Sequence, residues 1–188
     1  MAKFYDSLND KHVAFIKAQK MFFVGTAPRS DEARVNLSPK GYDSFRVIGP
    51  NRVAYADLGG SGAETLAHVK ENGRITFMFC AFEGAANIMR LYGRGSVLQF
   101  NEKGFAEELA KFPPGLERAR DIIFADITQV QDSCGWAVPF MDYKGERDQL
   151  KRYVGNVEQD AWYESRLAKN AKSIDGLPGL LPSKADNT

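Results

Sequence analysis

Cysteine and histidine are scarce in this chain, with two of each. Cys80 and Cys134 lie far apart and form neither a CxxC pair nor a metal-ligand spacing, which excludes a disulfide framework. His12 and His68 stand without a cluster of Asp and Glu at metal-binding spacing, so no metal is expected. Net charge is nearly absent as well: 25 basic residues against 24 acidic leave +1. That balance argues against a general nucleic-acid or polybasic membrane surface, while leaving room for a local basic pocket. No stretch approaches the roughly 18 apolar residues of a membrane span, and the N-terminus MAKFYDSLND has no apolar secretion-signal core. The expectation is a cytoplasmic protein with no membrane and no nucleic-acid partner. Internal repeats, low-complexity tracts and Ser–His–Asp or Cys–His sets are missing too.

What is present fits one globular domain with extensions, since 44% of the 188 residues are apolar. The stretch RVAYADLGGSGAET, residues 52–65, is the most informative. Residues 52–58 read as a buried strand, and Gly59, Gly60 and Gly62 allow a tight turn. Ser61 and Glu64 are spaced as a capping box, and an apolar helical pattern follows through Leu66 and Val69 to a stop at Asn72–Gly73. Such a turn at a helix N-terminus either receives an anion, phosphate being the commonest, or simply caps the helix. Asp57 reads as the start of this turn, and His68 as a helix-face residue.

Around this stretch the chain reads as short strands with tight turns. Residues 7–19 form an amphipathic helix with His12 partly exposed. MFFVGT (21–26), RVNLS (34–38) and residues 45–48 predict an antiparallel meander leading into the strand at Arg52. RITFMFCAF (74–82) is a strand buried on both faces or at an interface, with Cys80 in a core. The strand over 88–100 carries Gly93 and Gly95, which mark a bend or bulge. Helices are expected over 102–111, in a turn at 116–120, and in the charged tail over 144–153 and 158–172; residues 121–130 form a further strand. The last twelve residues, LPGLLPSKADNT, are expected to fray. Six or seven strands with few helices favour a small antiparallel barrel over a βαβ layout.

The ordered set RVNLSPKG, VAYADLGGSGAET and ENGRITFMFCAFEGAANIMRLYGRG resembles the pyridoxamine 5'-phosphate oxidase-like family of FMN-binding split-barrel proteins, over roughly residues 22–130. The resemblance implies a mainly β fold: a split antiparallel β-barrel over residues 1–133, with residues 134–188 as a C-terminal helical extension. It implies a homodimer with FMN between the subunits, acting as an FMN-dependent oxidoreductase that transfers hydride between a small-molecule substrate and the flavin. The alternatives are a non-catalytic flavin- or haem-binding protein and a deazaflavin-dependent reductase. The implied cofactor contacts are Arg34, Asn36, Ser38 and Lys40 along one strand. Ser61, Glu64 and Thr65 follow at the glycine turn, with Glu64 as the cap acid or a partner for a ribityl hydroxyl. Arg90 contributes to the cofactor or to an ion pair with the partner subunit, and Trp136 stacks on the ring or fills the dimer cleft. RITFMFCAF is a candidate dimer contact. Two departures separate the chain from the oxidase: Glu64 and Thr65 stand where the oxidase has a basic pair, and the C-terminus lacks its Arg-containing substrate segment. A substrate other than pyridoxamine phosphate is therefore expected.

Overall fold

Glycine and proline punctuate the first half of the chain, and strands fill the intervals. The computed structural model describes residues 2–183. In chain order the elements are β1 (Lys3–Tyr5), α1 (Asp10–Ala18), β2 (Phe22–Thr26), β3 (Asn36–Lys40), β4 (Phe45–Gly49), β5 (Arg52–Asp57) and α2 (Glu64–Asn72). There follow β6 (Arg74–Cys80), β7 (Ile88–Gln99), α3 (Phe105–Leu109), β8 (Asp121–Ser133), α4 (Gln149–Gly155) and α5 (Gln159–Lys169).

The strands form one antiparallel sheet in the order β3-β2-β6-β7-β8-β5-β4, with β1 paired to β8. β3 and β4 are the two edges and do not pair with each other. Side chains close the sheet instead. Phe45 of β4 meets Phe22 of β2 and Phe77 and Phe79 of β6, at ring-centroid distances of 5.0–5.2 Å. The result is the split antiparallel barrel expected from the sequence. Its interior is filled by fully buried Val24, Val53, Tyr55, Phe77, Leu91 and Val130, with Leu66 of α2 packed beneath. A smaller cluster of Ala54, Ala56, Ile122, Phe105, Phe112 and Leu116 fastens α3 and its following loop to the other face of β5 and β8.

Gly93 does mark a bulge: the β7–β8 register shifts between Tyr92 and Gly93. A side chain there would meet the Asp126 carbonyl at 2.5 Å. The expected meander is corrected, because β2 pairs with β6 and β5 with β8, leaving consecutive β3 and β4 at opposite edges. The turn between them, with Tyr42 and Asp43 at φ 61° and 52°, carries the chain across the split rather than back alongside β3. Helices are shorter than the amphipathic pattern suggests. Gly104, Gly115 and Gly145 adopt φ of 89°, 95° and 131°, so α3 starts late, residues 116–120 are turns, and α4 begins only at Gln149.

Two further corrections concern burial. His12 is not exposed: it is 3% accessible, its ring lies edge-on to Tyr5, and its Nδ1 accepts from the Asn9 N–H while Asn9 Oδ1 accepts from the His12 N–H. The C-terminal stretch is not frayed up to Ser183. Leu180 is buried in the core, Lys70 Nζ donates to the Gly179 carbonyl at 2.7 Å, and Gln99 exchanges two hydrogen bonds with the Leu181 backbone. Residues 184–188 of that stretch lie outside the described residues.

Candidate functional site

The glycine turn is held from one side by three long side chains. Arg166 of α5 donates to the Gly60 carbonyl at 3.1 Å, and Arg120 donates to the Gly62 carbonyl at 2.7 Å. Asn170, which ends α5, places its amide nitrogen 3.4 Å from each of the Gly60, Ser61 and Gly62 carbonyls. All peptide bonds here are trans, so each carbonyl is opposed by the N–H of the next residue. The N–H groups of Ser61, Gly62 and Ala63 therefore point away from Arg120, Arg166 and Asn170. α2 starts directly afterwards, and its first-turn N–H groups add to the same positive end.

The expected capping box is corrected. Ala63 is the N-cap of α2, and no side chain caps it. Glu64 falls at the first helical position, too early to reach back to Ser61, and its Oε1 instead accepts from the Ile174 N–H at 3.1 Å. Asp57 is likewise not a simple turn residue. It is 3% accessible and accepts from Lys40 at 3.0 Å and from Arg120 at 2.9 Å. Burial pushes its carboxyl up, but the Lys40 ammonium and the Arg120 guanidinium outweigh this and hold it below the usual carboxylate range. Neighbouring Asp121 is fully buried with no hydrogen bond to either oxygen; burial, with the Asp57 charge, pushes it up to about 7. Arg120 thus links a buried ion cluster to the glycine turn.

Ser61 and Gly62 of the turn also line a cavity of about 570 Å³, together with Arg34, Asn36, Glu64 and Lys172, among others. Four residues expected from the sequence, Arg34, Asn36, Ser61 and Glu64, meet here. Thr65 stands behind, its hydroxyl accepting from Asn36 Nδ2 at 2.9 Å. A second hollow of about 420 Å³ adjoins along β3, sharing Val35 and Asn36 and reaching Thr26, Leu37 and Arg74. The other expected residues lie elsewhere in the single chain. Ser38 is on β3 opposite Val24, its hydroxyl buried without a partner. Lys40 is drawn to Asp57. Arg90 donates to the Ser133 hydroxyl at 3.2 Å on β7, and Trp136 is 87% exposed.

Sequence reasoning missed the residues contributed by the tail. Asp175 binds Arg34 twice, accepting from its backbone N–H at 2.8 Å and pairing with its guanidinium. The Arg34 backbone N–H, followed by its guanidinium charge, holds the Asp175 carboxyl below the ordinary range. His68 was also underread. It is fully buried, its Nδ1 lies 3.0 Å from the Thr26 hydroxyl, and Nε2 has no partner. Burial lowers its pKa, against the charges of Glu71, Glu64 and Asp175. The Asn36–Thr26–His68 chain thus forms a buried polar wall beside both hollows. Among the described residues no group of His, Cys, Asp and Glu is arranged to hold a metal, and no helix is long and apolar enough to cross a membrane. Cys80 is buried, as expected, and Cys134 is exposed.

The chain is thus an antiparallel split barrel with a polar cavity between its edge strand and a glycine turn. Solved structures share the fold. A single-residue variant of HupZ from Group A Streptococcus superposes with a TM-score of 0.51 at 15% identity, covering 66% of this chain and 98% of that one. A Lactobacillus delbrueckii protein whose proposed assignment is pyridoxamine 5'-phosphate oxidase superposes with a TM-score of 0.50 at 15% identity, covering 67% and 94%. The pyridoxamine 5'-phosphate oxidase family model matches residues 8–134. A pyridoxamine 5'-phosphate oxidase family protein, ustO of Aspergillus flavus, is 37% identical over 202 aligned positions, which cover 99% of this chain and 81% of ustO. The chain belongs to the pyridoxamine 5'-phosphate oxidase family.

Proposed function

We propose that this protein is an FMN-binding flavoprotein and an oxidoreductase, holding the flavin between two copies of the chain. The observation that carries the reading is the glycine turn. Its carbonyls are engaged by Arg120, Arg166 and Asn170, which leaves its N–H groups free of them, and Ser61 and Gly62 line the cavity that Arg34 and Lys172 also line. Backbone donors and Lys172, with Arg34 shared between Asp175 and the ligand, suit a phosphate monoester. Asn36 and Glu64 suit ribityl hydroxyls, one donating and the other accepting. The adjoining hollow along β3, floored by Gly25, Val35 and Ile75, suits a flat ring.

FMN would supply the redox chemistry itself, accepting or donating hydride or electrons. The chain's part is to bind and orient. Arg34 and the turn N–H groups neutralise the phosphate, and Thr65 and Thr26 fix the Asn36 amide. Val35 and Leu37 stand 76% and 65% exposed on the edge strand beside the hollow, and Trp136 and Phe140 stand 87% and 83% exposed on the segment after β8. Exposed apolar groups of this size favour cover by a second copy, which would bring Arg90 and Trp136 near the ring.

The test is to purify the protein without added cofactor, record its visible spectrum and identify any released chromophore by mass. A flavin spectrum with released FMN, bleached by a small-molecule donor and restored by an acceptor, supports the oxidoreductase reading. Bound FMN that no donor or acceptor turns over supports the non-catalytic flavin-binding alternative. A protein that neither carries nor takes up FMN refutes both.

A further inference from the structure

A separate cavity of about 550 Å³ opens where the barrel is split, a size suited to a small organic ligand. Its floor is aromatic, formed by Phe22, Phe45 and Phe79, whose centroids lie 5.0–5.6 Å apart. Its rim is cationic, with Lys17 and Lys20 at the end of α1, Arg46 on β4 and Lys111 after α3. Asp43 is the one carboxylate on the lining among the described residues. Lys111 is neutralised by Glu108 at 2.5 Å, and Lys20 lies 5.6 Å from the Tyr143 ring centre. Lys17 and Arg46 have no carboxylate partner among the described residues. The Arg46 guanidinium rests 5.1 Å over the Phe112 ring, and its Nη1 is shielded from solvent without a hydrogen bond.

A second observation singles out this place. The rim turn holds Tyr42 and Asp43 in succession at φ 61° and 52°, a conformation that bulky residues rarely adopt. Such strain persists only where the surroundings impose it, and it gathers at functional sites. Here Tyr42 is fixed by its hydroxyl, which donates to the Arg147 carbonyl at 2.5 Å, and by Lys151 5.0 Å over its ring. Gly41, Asp43 and Ser44 of this turn line the cavity.

We propose that this cavity binds a small aromatic carboxylate, its ring on the phenylalanine floor and its charge between Arg46 and Lys17. A neutral aromatic would leave those cations unanswered, and a bare inorganic anion would leave the half-buried Phe45 ring wet above the buried Phe22 and Phe79. The site shares no lining residue with the cavity beside the glycine turn or the hollow along β3, and the inference stands independently of the flavin reading.

The test is calorimetric titration of the full chain with 2-naphthoate and with its neutral analogue 2-naphthamide. The expected result is saturable naphthoate binding, weakened by salt, with the amide at least about tenfold weaker. Arg46→Gln should cost about tenfold in naphthoate affinity and leave the amide unchanged. Lys17→Gln, on the exposed surface of α1, gives a second variant that tests the same contact should the first misfold. Lys11→Gln removes the same charge away from the cavity and should change nothing. Saturating FMN should leave the naphthoate affinity unchanged. Equal binding of acid and amide, no binding up to the solubility limit, equal losses in Lys11→Gln and Lys17→Gln, or displacement by FMN would each overturn the proposal.

Discussion

Asn170 is fully buried, and its amide nitrogen faces three carbonyl oxygens of the glycine turn. Asn170→Ala removes the donor that aligns those peptides. FMN affinity should fall about tenfold, and riboflavin affinity, which needs no phosphate site, should stay within about twofold. Parallel fluorescence titrations of the two flavins check this, and an equal loss for both would make Asn170 a purely structural residue. Asp121 gives a pH signature. Its carboxyl titrates near 7 in the fold, above the ordinary value near 3.9. Its contribution to stability is complete below about pH 4 and is lost as the pH rises through 7. Thermal melts of the wild type should therefore fall from pH 5 to pH 8, and Asp121→Asn should flatten that decline. Asp57 acts in the opposite sense, its contribution being lost as the pH drops below about 4. At this scale the sequence was partly legible. Arg34, Asn36, Ser61 and Glu64 were readable from strand alternation, the glycine turn and the family resemblance. Arg120, Arg166 and Asn170 were not, because no local pattern announces a side chain that acts on a backbone 58 to 108 residues away.

Strands and helices were legible to different degrees for a physical reason. The inner strands β2, β5 and β6 are flanked by proline or glycine and largely buried, so their apolar content marks them. Helices α3, α4 and α5 are rich in charged residues, which fit helix and loop equally, and α3 starts where Gly104 takes a left-handed conformation. β1 is three residues long and takes its form wholly from pairing with β8. The segment after α5 is the clearest case. Its proline, glycine and terminal place suggest fraying, yet Leu180 fills a core site and Lys70 anchors Gly179. Leu180→Ala should cost about 2–4 kcal/mol in denaturant unfolding. Gly179→Ala should be destabilising too, because its Cβ would run into the Asn170 carbonyl oxygen. A loss under about 0.5 kcal/mol in Leu180→Ala would mean that this segment is not docked.

For the whole molecule, the barrel was legible from many short strands and the resemblance, while the proposed dimer rests on the resemblance and on the exposed apolar residues. The exposed apolar residues of β3 and of the segment after β8 are where the proposed second copy would sit. Leu37→Asp puts a charge on the exposed edge strand, where a second copy would bury it without a partner. Sedimentation should show the wild type as a dimer and Leu37→Asp as mostly monomer, with at least about tenfold weaker FMN binding. A wild type that sediments as a monomer while binding FMN tightly would remove the second copy from the site.

The central claim is that the cavity beside the glycine turn is a phosphate site for FMN, and one titration addresses it most directly. Wild-type protein is stripped of cofactor and titrated with FMN and with riboflavin at equal ionic strength. Two charge-assisted contacts to the phosphate correspond to FMN binding about a hundredfold tighter. Equal affinities for the two flavins, or no binding of either, would contradict the account and leave the glycine turn as the unadorned start of α2.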